Sequence, residues 1–246
     1  MDSPPVDKSP ERIRRMFDAV APRYDLVNHI LSFGMHRLWR KTAARILLHA
    51  QAIEGDILDI CCGTGDLSFA FAKQQKKCQT HRTNFGIDFS PEMTAIARHK
   101  AVGFARNYPA LHFSVGDALS LPFEANRFAV VAAAFGLRNI CDTQRGLAEM
   151  IRVCKPGGTV AVLDFSMPTL PVFRHLYQFY FCTLLPRLGH GFSKNSGQAY
   201  NYLTQSVLQF DRPAQLAECL SQLGAGDVRT KPMTLEIVTL TWGIKK

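Results

Sequence analysis

From residue 57 the chain alternates short, almost continuous apolar runs with longer stretches of helical periodicity. This alternation restricts the fold more than any other feature. The runs are ILDIC (57–61), NFGIDF (84–89), LHFSVGD (111–117), FAVVAAAFG (128–136) and TVAVLDFS (159–166). Between them lie DLSFAFAKQQKK (66–77), PEMTAIARHKAVGFARN (91–107) and TQRGLAEMIRVCKPGG (143–158). Strands apolar on both faces belong in a parallel sheet covered by helices on each side. The last helix is expected to stop at Lys155-Pro156-Gly157-Gly158, behind a basic last turn.

The flanks are read from the same periodicities. Helical patterns occupy ERIRRMFDAV (11–20), APRYDLVNHIL (21–31) and MHRLWRKTAARILLHA (35–50). In the last, Leu38, Ala43, Ile46 and Leu47 fall largely on one stripe, with Arg37, Arg40, Lys41 and Arg45 on others. Residues 167–205 are aromatic, punctuated by proline and too long for an ordinary connection, so a helical insertion or lid is expected. A helix near 213–223 and closing strands at 227–233 and 236–246 follow. The expectation is one domain of 246 residues: N-terminal helices over 11–50, a ligand-binding core over 51–166, the insertion over 167–205, and a closing helix and strands over 206–246.

In open α/β sheets the ligand lies beyond the carboxyl ends of the strands, near the switch point. CCGTGD (61–66) is the turn at that place, and its glycines let backbone approach a ligand closely. A metal site at Cys61-Cys62 is disfavoured: adjacent residues on an extended chain point to opposite faces, and no CxxC or close histidine completes a ligand set. The seven cysteines are scattered, mostly within apolar runs, which reads as reduced, buried thiols rather than a disulfide framework. A dinucleotide turn would need a third glycine where Ser68 stands. Asp88, at the end of the second strand, is placed to accept hydrogen bonds from ribose hydroxyls, while Ser90 before Pro91 caps the next helix. Asp117 and the small Ala118 lie where an adenine ring would pass.

The ordered set of CGTGD, Asp88, Asp117-Ala118 and KPGG resembles class I S-adenosylmethionine-dependent methyltransferases. That resemblance implies a Rossmann-like, seven-stranded, mostly parallel α/β sheet with helices on both faces. RMFDAVAPRYDLVNHILSFGMHRLWR, AFGLRNICD, RVCKPGGTVAVLDFSMP and QAYNYLTQSV are more selective. They resemble the menaquinone/ubiquinone-biosynthesis C-methyltransferase family from about residue 12 to the C-terminus.

The resemblance implies methyl transfer from S-adenosyl-L-methionine to a ring carbon of a polyprenylated quinol. It implies cofactor contacts at Asp59, Gly63, Thr64, Gly65, Asp88, Phe89, Asp117, Ala118 and Ala134; the last, often a hydroxyl residue in the family, offers no side-chain hydrogen bond here. Substrate contacts are implied at Tyr24, Asn28 and Tyr177, and catalytic roles at Arg138 and Asn139. Arginine is a poor general base. Arg138 is therefore expected to hold a developing phenolate while water, His29 or His36 takes the proton and Asn139 orients the oxygen or water. The blander alternative pairs Arg138 with Asp142 and gives it only the shape of the turn.

No apolar run approaches the ~20 residues that span a bilayer, and the N-terminus has no secretory h-region. The formal charge of +9 favours an anionic partner. With a bilayer-resident quinol, the expectation is a cytoplasmic protein peripheral to the inner face of the cytoplasmic membrane. Aromatic residues over 172–192 (Phe173, Tyr177, Phe179, Tyr180, Phe181, Phe192) would line a prenyl channel, touch lipid or simply pack on the sheet. No metal and no nucleic-acid partner are expected. The alternative reading, which the basic charge permits, is an S-adenosylmethionine-dependent methyltransferase acting on nucleic acid or another small molecule. A homodimer is compatible with the sequence, which does not fix oligomeric state.

Overall fold

The computed structural model describes residues 7–50, 53–104, 108, 110–179, 202, 204–207, 209–210 and 213–246. Three helices, α1 (Pro10–Val20), α2 (Tyr24–Leu31) and α3 (Met35–His49), precede the sheet. Then come β1 (Ile57–Ile60), α4 (Asp66–Cys78), β2 (Asn84–Asp88), α5 (Pro91–Phe104), β3 (Leu111–Val115), β4 (Phe128–Ala134), α6 (Thr143–Val153), β5 (Cys154–Phe165) and α7 (Pro171–Phe179). The chain closes with α8 (Pro213–Gln222), β6 (Ala225–Met233) and β7 (Val238–Lys245). Tyr180, Phe181, Phe192 and most of the expected insertion lie outside the described residues.

The seven strands run in the order β3-β2-β1-β4-β5-β7-β6. β1 to β5 are parallel, and β7 is antiparallel to both neighbours. The connections reverse direction between β1 and β4, so the switch point lies at the carboxyl ends of those strands. Alternation within each strand feeds two cores. Leu58, Val131, Ala133, Val160 and Val162 meet α6 and α8 through Leu147, Met150 and Leu220. Ile57, Val130, Ala132, Ala161 and Leu163 meet α3 and α4 through Trp39, Ala43, Leu47 and Phe71. Each such side chain removed from water contributes roughly 1.5–3 kcal/mol.

Helix ends follow local chemistry. The Ser90 hydroxyl accepts the Met93 N–H at 3.1 Å, capping α5 beside Pro91. Asp142 caps α6 by accepting the Arg145 N–H at 2.9 Å.

Two sequence expectations change. α6 ends at Val153, and KPGG lies inside β5. The register there jumps from Phe128–Cys154 to Val130–Thr159, absorbing the extra residues where Gly157 takes φ 76°. On α3, Leu38 is half exposed and the inward stripe is His36, Trp39, Arg40, Ala43, Ala44 and Leu47. The helical spacing was right, but its polar and aromatic members turn inward because they face a cavity rather than a dry core.

Candidate active site

After β1 the chain turns sharply. Cys61 takes φ 53°, Gly63 φ 54° and Gly65 φ 87°, all left-handed. A Cβ on Gly63 would stand 4.0 Å from the Tyr24 ring with nothing nearer, so this stretch of backbone faces open space. The Gly63 N–H donates to Asp88 Oδ2 at 2.7 Å, and the Ser90 N–H to Asp88 Oδ1 at 2.9 Å. Burial pushes the Asp88 carboxyl above the usual carboxylate range, against these two backbone donors. Gly63, Thr64, Asp88, Phe89, Asp117, Ala118 and Ala134 line one crevice, as the resemblance implied for cofactor contacts. Asn139 lines it too. Its side-chain amide also donates to the Phe135 carbonyl at 3.5 Å, the oxygen that Arg138 uses as well, so it stands between the crevice and Arg138.

Two of the implied cofactor contacts are elsewhere. Asp59 is buried under α4, where its Oδ2 accepts the Ser68 N–H at 3.0 Å and the Ser68 hydroxyl at 2.7 Å. Burial outweighs those bonds and pushes its carboxyl up to about 7. Gly65 is packed rather than open: a Cβ there would meet the Phe113 and Phe69 rings at 2.9 Å. Thr64 lines the crevice, but its hydroxyl donates to Asp25 Oδ1 at 2.5 Å. Lys100 Nζ joins that pair, 2.9 Å from Asp25 Oδ2 and 3.0 Å from Asp66 Oδ1. This network, which sequence reading missed because its members are far apart in the chain, fastens α2 over the glycine turn.

Beyond Tyr24, Arg40 and Phe135, which line both spaces, lies a second cavity of about 550 Å³. Its walls are mostly apolar: Leu31, Met35, Trp39, Phe165, Phe173 and Ile237 among others. Tyr24, Asn28 and Tyr177, the implied substrate contacts, line it, as do Arg138 and His36. Arg138 is buried at 5 % exposure and donates from Nη1 to Asp164 Oδ1 and to the Phe135 carbonyl, both at 2.6 Å. Its carboxylate partner is thus Asp164 at the end of β5, not Asp142, which is occupied as the α6 cap.

His36 does not suit the role of base. Arg40 donates from Nη1 to its Nδ1 at 2.8 Å, which leaves the proton on Nε2. Burial, with Arg40 and Arg37 beside it and only Asp66 opposing, lowers its pKa to about 4. His29 is exposed and lines neither cavity.

The loops after β1 and β4 interlock here. A Cβ on Gly136 would stand 2.2 Å from that of Cys61. The two vicinal thiols are held well above their ordinary range by burial and by Asp88. Cys154 is buried as expected, but Cys78 and Cys141 are exposed, so the expectation of buried thiols fails at those two. Among the described residues no group of three or more His, Cys, Asp or Glu is placed to hold a metal ion.

A ligand crevice at the switch point of a parallel sheet, closed by a reversed β7, is the architecture of class I S-adenosylmethionine-dependent methyltransferases. Solved members overlay on it at low identity. Magnesium protoporphyrin IX methyltransferase from Synechocystis, determined with bound SAH, matches with a TM-score of 0.67 at 14% identity, covering 97% of this chain and 100% of that one. A methyltransferase from Thermotoga maritima matches with a TM-score of 0.60 at 16% identity, over 95% and 100%.

Sequence narrows the class. The ubiE/COQ5 methyltransferase family profile matches residues 6–245, and the chain belongs to that family. A ubiquinone/menaquinone biosynthesis C-methyltransferase UbiE of Citrifermentans bemidjiense is 42% identical over 236 residues, 96% of this chain and 97% of its own. A demethylmenaquinone methyltransferase of Chlorobaculum parvum is 41% identical over 233 residues, 93% and 90% respectively.

Proposed function

We propose that this protein methylates a ring carbon of a polyprenylated hydroquinone, demethylmenaquinol or 2-methoxy-6-polyprenyl-1,4-benzoquinol, in respiratory quinone biosynthesis. The observation that carries this reading is the large apolar cavity sharing Tyr24, Arg40 and Phe135 with the cofactor crevice. A flat apolar ring with a long tail fits such a space, and the names of the whole-length relatives support that class of substrate.

The crevice fits S-adenosylmethionine: open backbone at Gly63, the strand-end carboxylate Asp88, and Asp117 beside the small Ala118. When bound, the cofactor supplies a methyl carbon on a sulfonium, ready for an electron-rich carbon. Phe89, 38 % exposed at the crevice wall, gives a flat face for the adenine. The chain's own work falls on the ring. A phenol near pKa ~10 is mostly protonated at neutral pH, and losing that proton raises electron density on the neighbouring carbon. Arg138 holds the developing oxyanion, Asp164 fixes the guanidinium, and the phenolic proton leaves to water, since neither histidine is suited to take it. Once the ring carbon carries the methyl, its C–H proton is lost to water, the ring becomes aromatic again and the oxygen is reprotonated. Neutral His36 keeps an Nε2 proton.

A bilayer-resident substrate brings the enzyme to a membrane, and the charge of +9 favours an anionic leaflet. We place it at the inner face of the cytoplasmic membrane. Among the described residues no helix is long and apolar enough to cross a membrane. The deciding experiment supplies tritium-methyl S-adenosylmethionine to cell extract with and without this protein. Label is expected in extracted quinone, and label in RNA instead would overturn the reading. Mass spectrometry of quinones in cells lacking the protein then names the precursor.

A further inference from the structure

Large apolar side chains that the fold leaves in solvent gather at the mouth of the second cavity. Phe33, Phe173, Phe179 and Leu235 all line that cavity, yet are 83, 39, 60 and 55 % exposed. They come from separate places: the α2–α3 turn, α7 and the β6–β7 turn. Leu26, two helical turns before Phe33, and Val172, next to Phe173, are also exposed and line neither cavity. Phe33 and Leu235 sit at turn tips with φ 48° and 55°. Bulky side chains enter left-handed backbone at a cost. Two separate turns bear that cost while presenting apolar groups to water, which points to a partner that receives them.

Charge selects the partner. Arg37, Arg174 and Lys231 are exposed on the same elements or strand ends. Of the nearby carboxylates Asp25 is paired with Lys100, while Glu236 accepts from the Thr169 N–H and hydroxyl and keeps its charge, so the three cations outnumber the one unpaired anion. Apposing two copies of this rim would set its basic residues against their own counterparts and close the mouth. An anionic bilayer meets the basic residues favourably and receives the apolar tips.

We propose that the rim formed by Leu26, Phe33, Val172, Phe173, Phe179 and Leu235 is a bilayer-docking surface, its tips seated in the headgroup–acyl boundary of an anionic leaflet. The cavity mouth then opens onto lipid, and a water-insoluble tail passes from bilayer to cavity without crossing water. The use made of the mouth rests on the proposed hydroquinone substrate; the docking surface itself does not.

The test is sedimentation of the full chain with vesicles of phosphatidylcholine containing phosphatidylglycerol, without substrate. The Leu26→Ser/Val172→Ser variant keeps the charge and alters residues outside both cavities. Its partition is expected to fall about tenfold or more, the loss corresponding to apolar side chains no longer leaving water. Its methylation of a short-tailed hydroquinone dispersed in detergent should match wild type. A Phe33→Trp variant should show a blue-shifted emission component that brominated lipid quenches. Partition of the double-serine variant equal to wild type, with no lipid quenching at position 33, would overturn the proposal. So would a solution dimer that the double substitution dissociates, since that assigns the face to a second copy. Failure of the wild type to methylate the dispersed hydroquinone defeats the proposed reaction alone, because partition is read without substrate.

Discussion

The Arg138 guanidinium lies 2.6 Å from Asp164, with both side chains buried and Arg138 at the wall of the apolar cavity. One end of β5 thereby sets the orientation of a cation that follows β4. A buried ion pair is hard to break from one side, because the remaining charge has no water to return to.

Arg138→Ala should bind S-adenosylmethionine nearly as wild type yet lose about 10²–10³ in kcat, the usual loss for one preorganised charge contact. Arg138→Lys should recover only part, since the planar fork is gone. Asp164→Ala should destabilise by about 3–5 kcal/mol. Calorimetry, turnover and denaturant titration separate the three. A near-normal kcat in Arg138→Ala would remove the residue from the chemistry.

Asp88→Ala should weaken S-adenosylmethionine binding by about tenfold or more, as a carboxylate hydrogen bond contributes roughly 1.5–3 kcal/mol. The same change removes the acceptor of the Gly63 N–H. Asp88→Asn keeps one acceptor for that loop, so its smaller loss measures the ribose contact more cleanly. Unchanged affinity in a folded Asp88→Ala would take the residue out of the site.

Two buried groups should give opposite pH dependences of stability. Asp59 rises from 3.8 to about 7 on folding. Its folded state holds a proton that the unfolded state releases, so stability falls as pH rises across that window. His36 drops from 6.5 to about 4, so the unfolded state binds the extra proton and stability is lost as pH falls through that window. Each slope approaches ~1.4 kcal/mol per pH unit, and between pH ~4 and ~6.5 they offset. Denaturant midpoints against pH should therefore be flatter in the wild type than in either variant. Asp59→Asn should expose the acid-side loss, and His36→Gln the opposite slope. Parallel curves for all three proteins would refute this.

Iodoacetamide should label Cys78 and Cys141 well before Cys61, Cys62 and Cys154, following exposure and thiolate character. Because Cys141 lines the cofactor crevice, S-adenosylhomocysteine should slow its labelling and leave Cys78 unaffected. Cys61→Ser and Cys62→Ser should retain cofactor binding with some stability loss. Stoichiometric zinc in the purified protein would contradict the backbone-cradle reading.

Much of this was legible in sequence where the signal is local. Alternating apolar runs gave the strand centres, and glycines after ILDIC marked the turn. What was not legible depends on distant pairings. Nothing in GMHRLWRK says that Arg40 turns inward, because the reason is the Phe135 ring, with the guanidinium 4.9 Å above it. Asp59 looked like a ligand residue by position, yet α4 covers it. Asp142 was the nearer carboxylate to Arg138 along the chain, but β4–β5 pairing brings Asp164 beside it. The apolar cavity itself is assembled from α2, α3, α7 and the β6–β7 turn, so no single stretch announces it.

The contact between Cys61 and Gly136 carries a consequence for how this sequence can drift. Gly136 has an ordinary negative φ, so its own backbone would admit other residues. The veto comes from Cys61, whose Cβ already occupies the space. Cys61 in turn holds the left-handed backbone that glycine tolerates best. Gly136→Ala alone should be deleterious, Cys61→Gly alone mild, and the pair together better than Gly136→Ala. The two positions are therefore expected to be epistatic: a side chain is admissible at one loop or at the other, and a lineage exchanging them must pass through the double glycine.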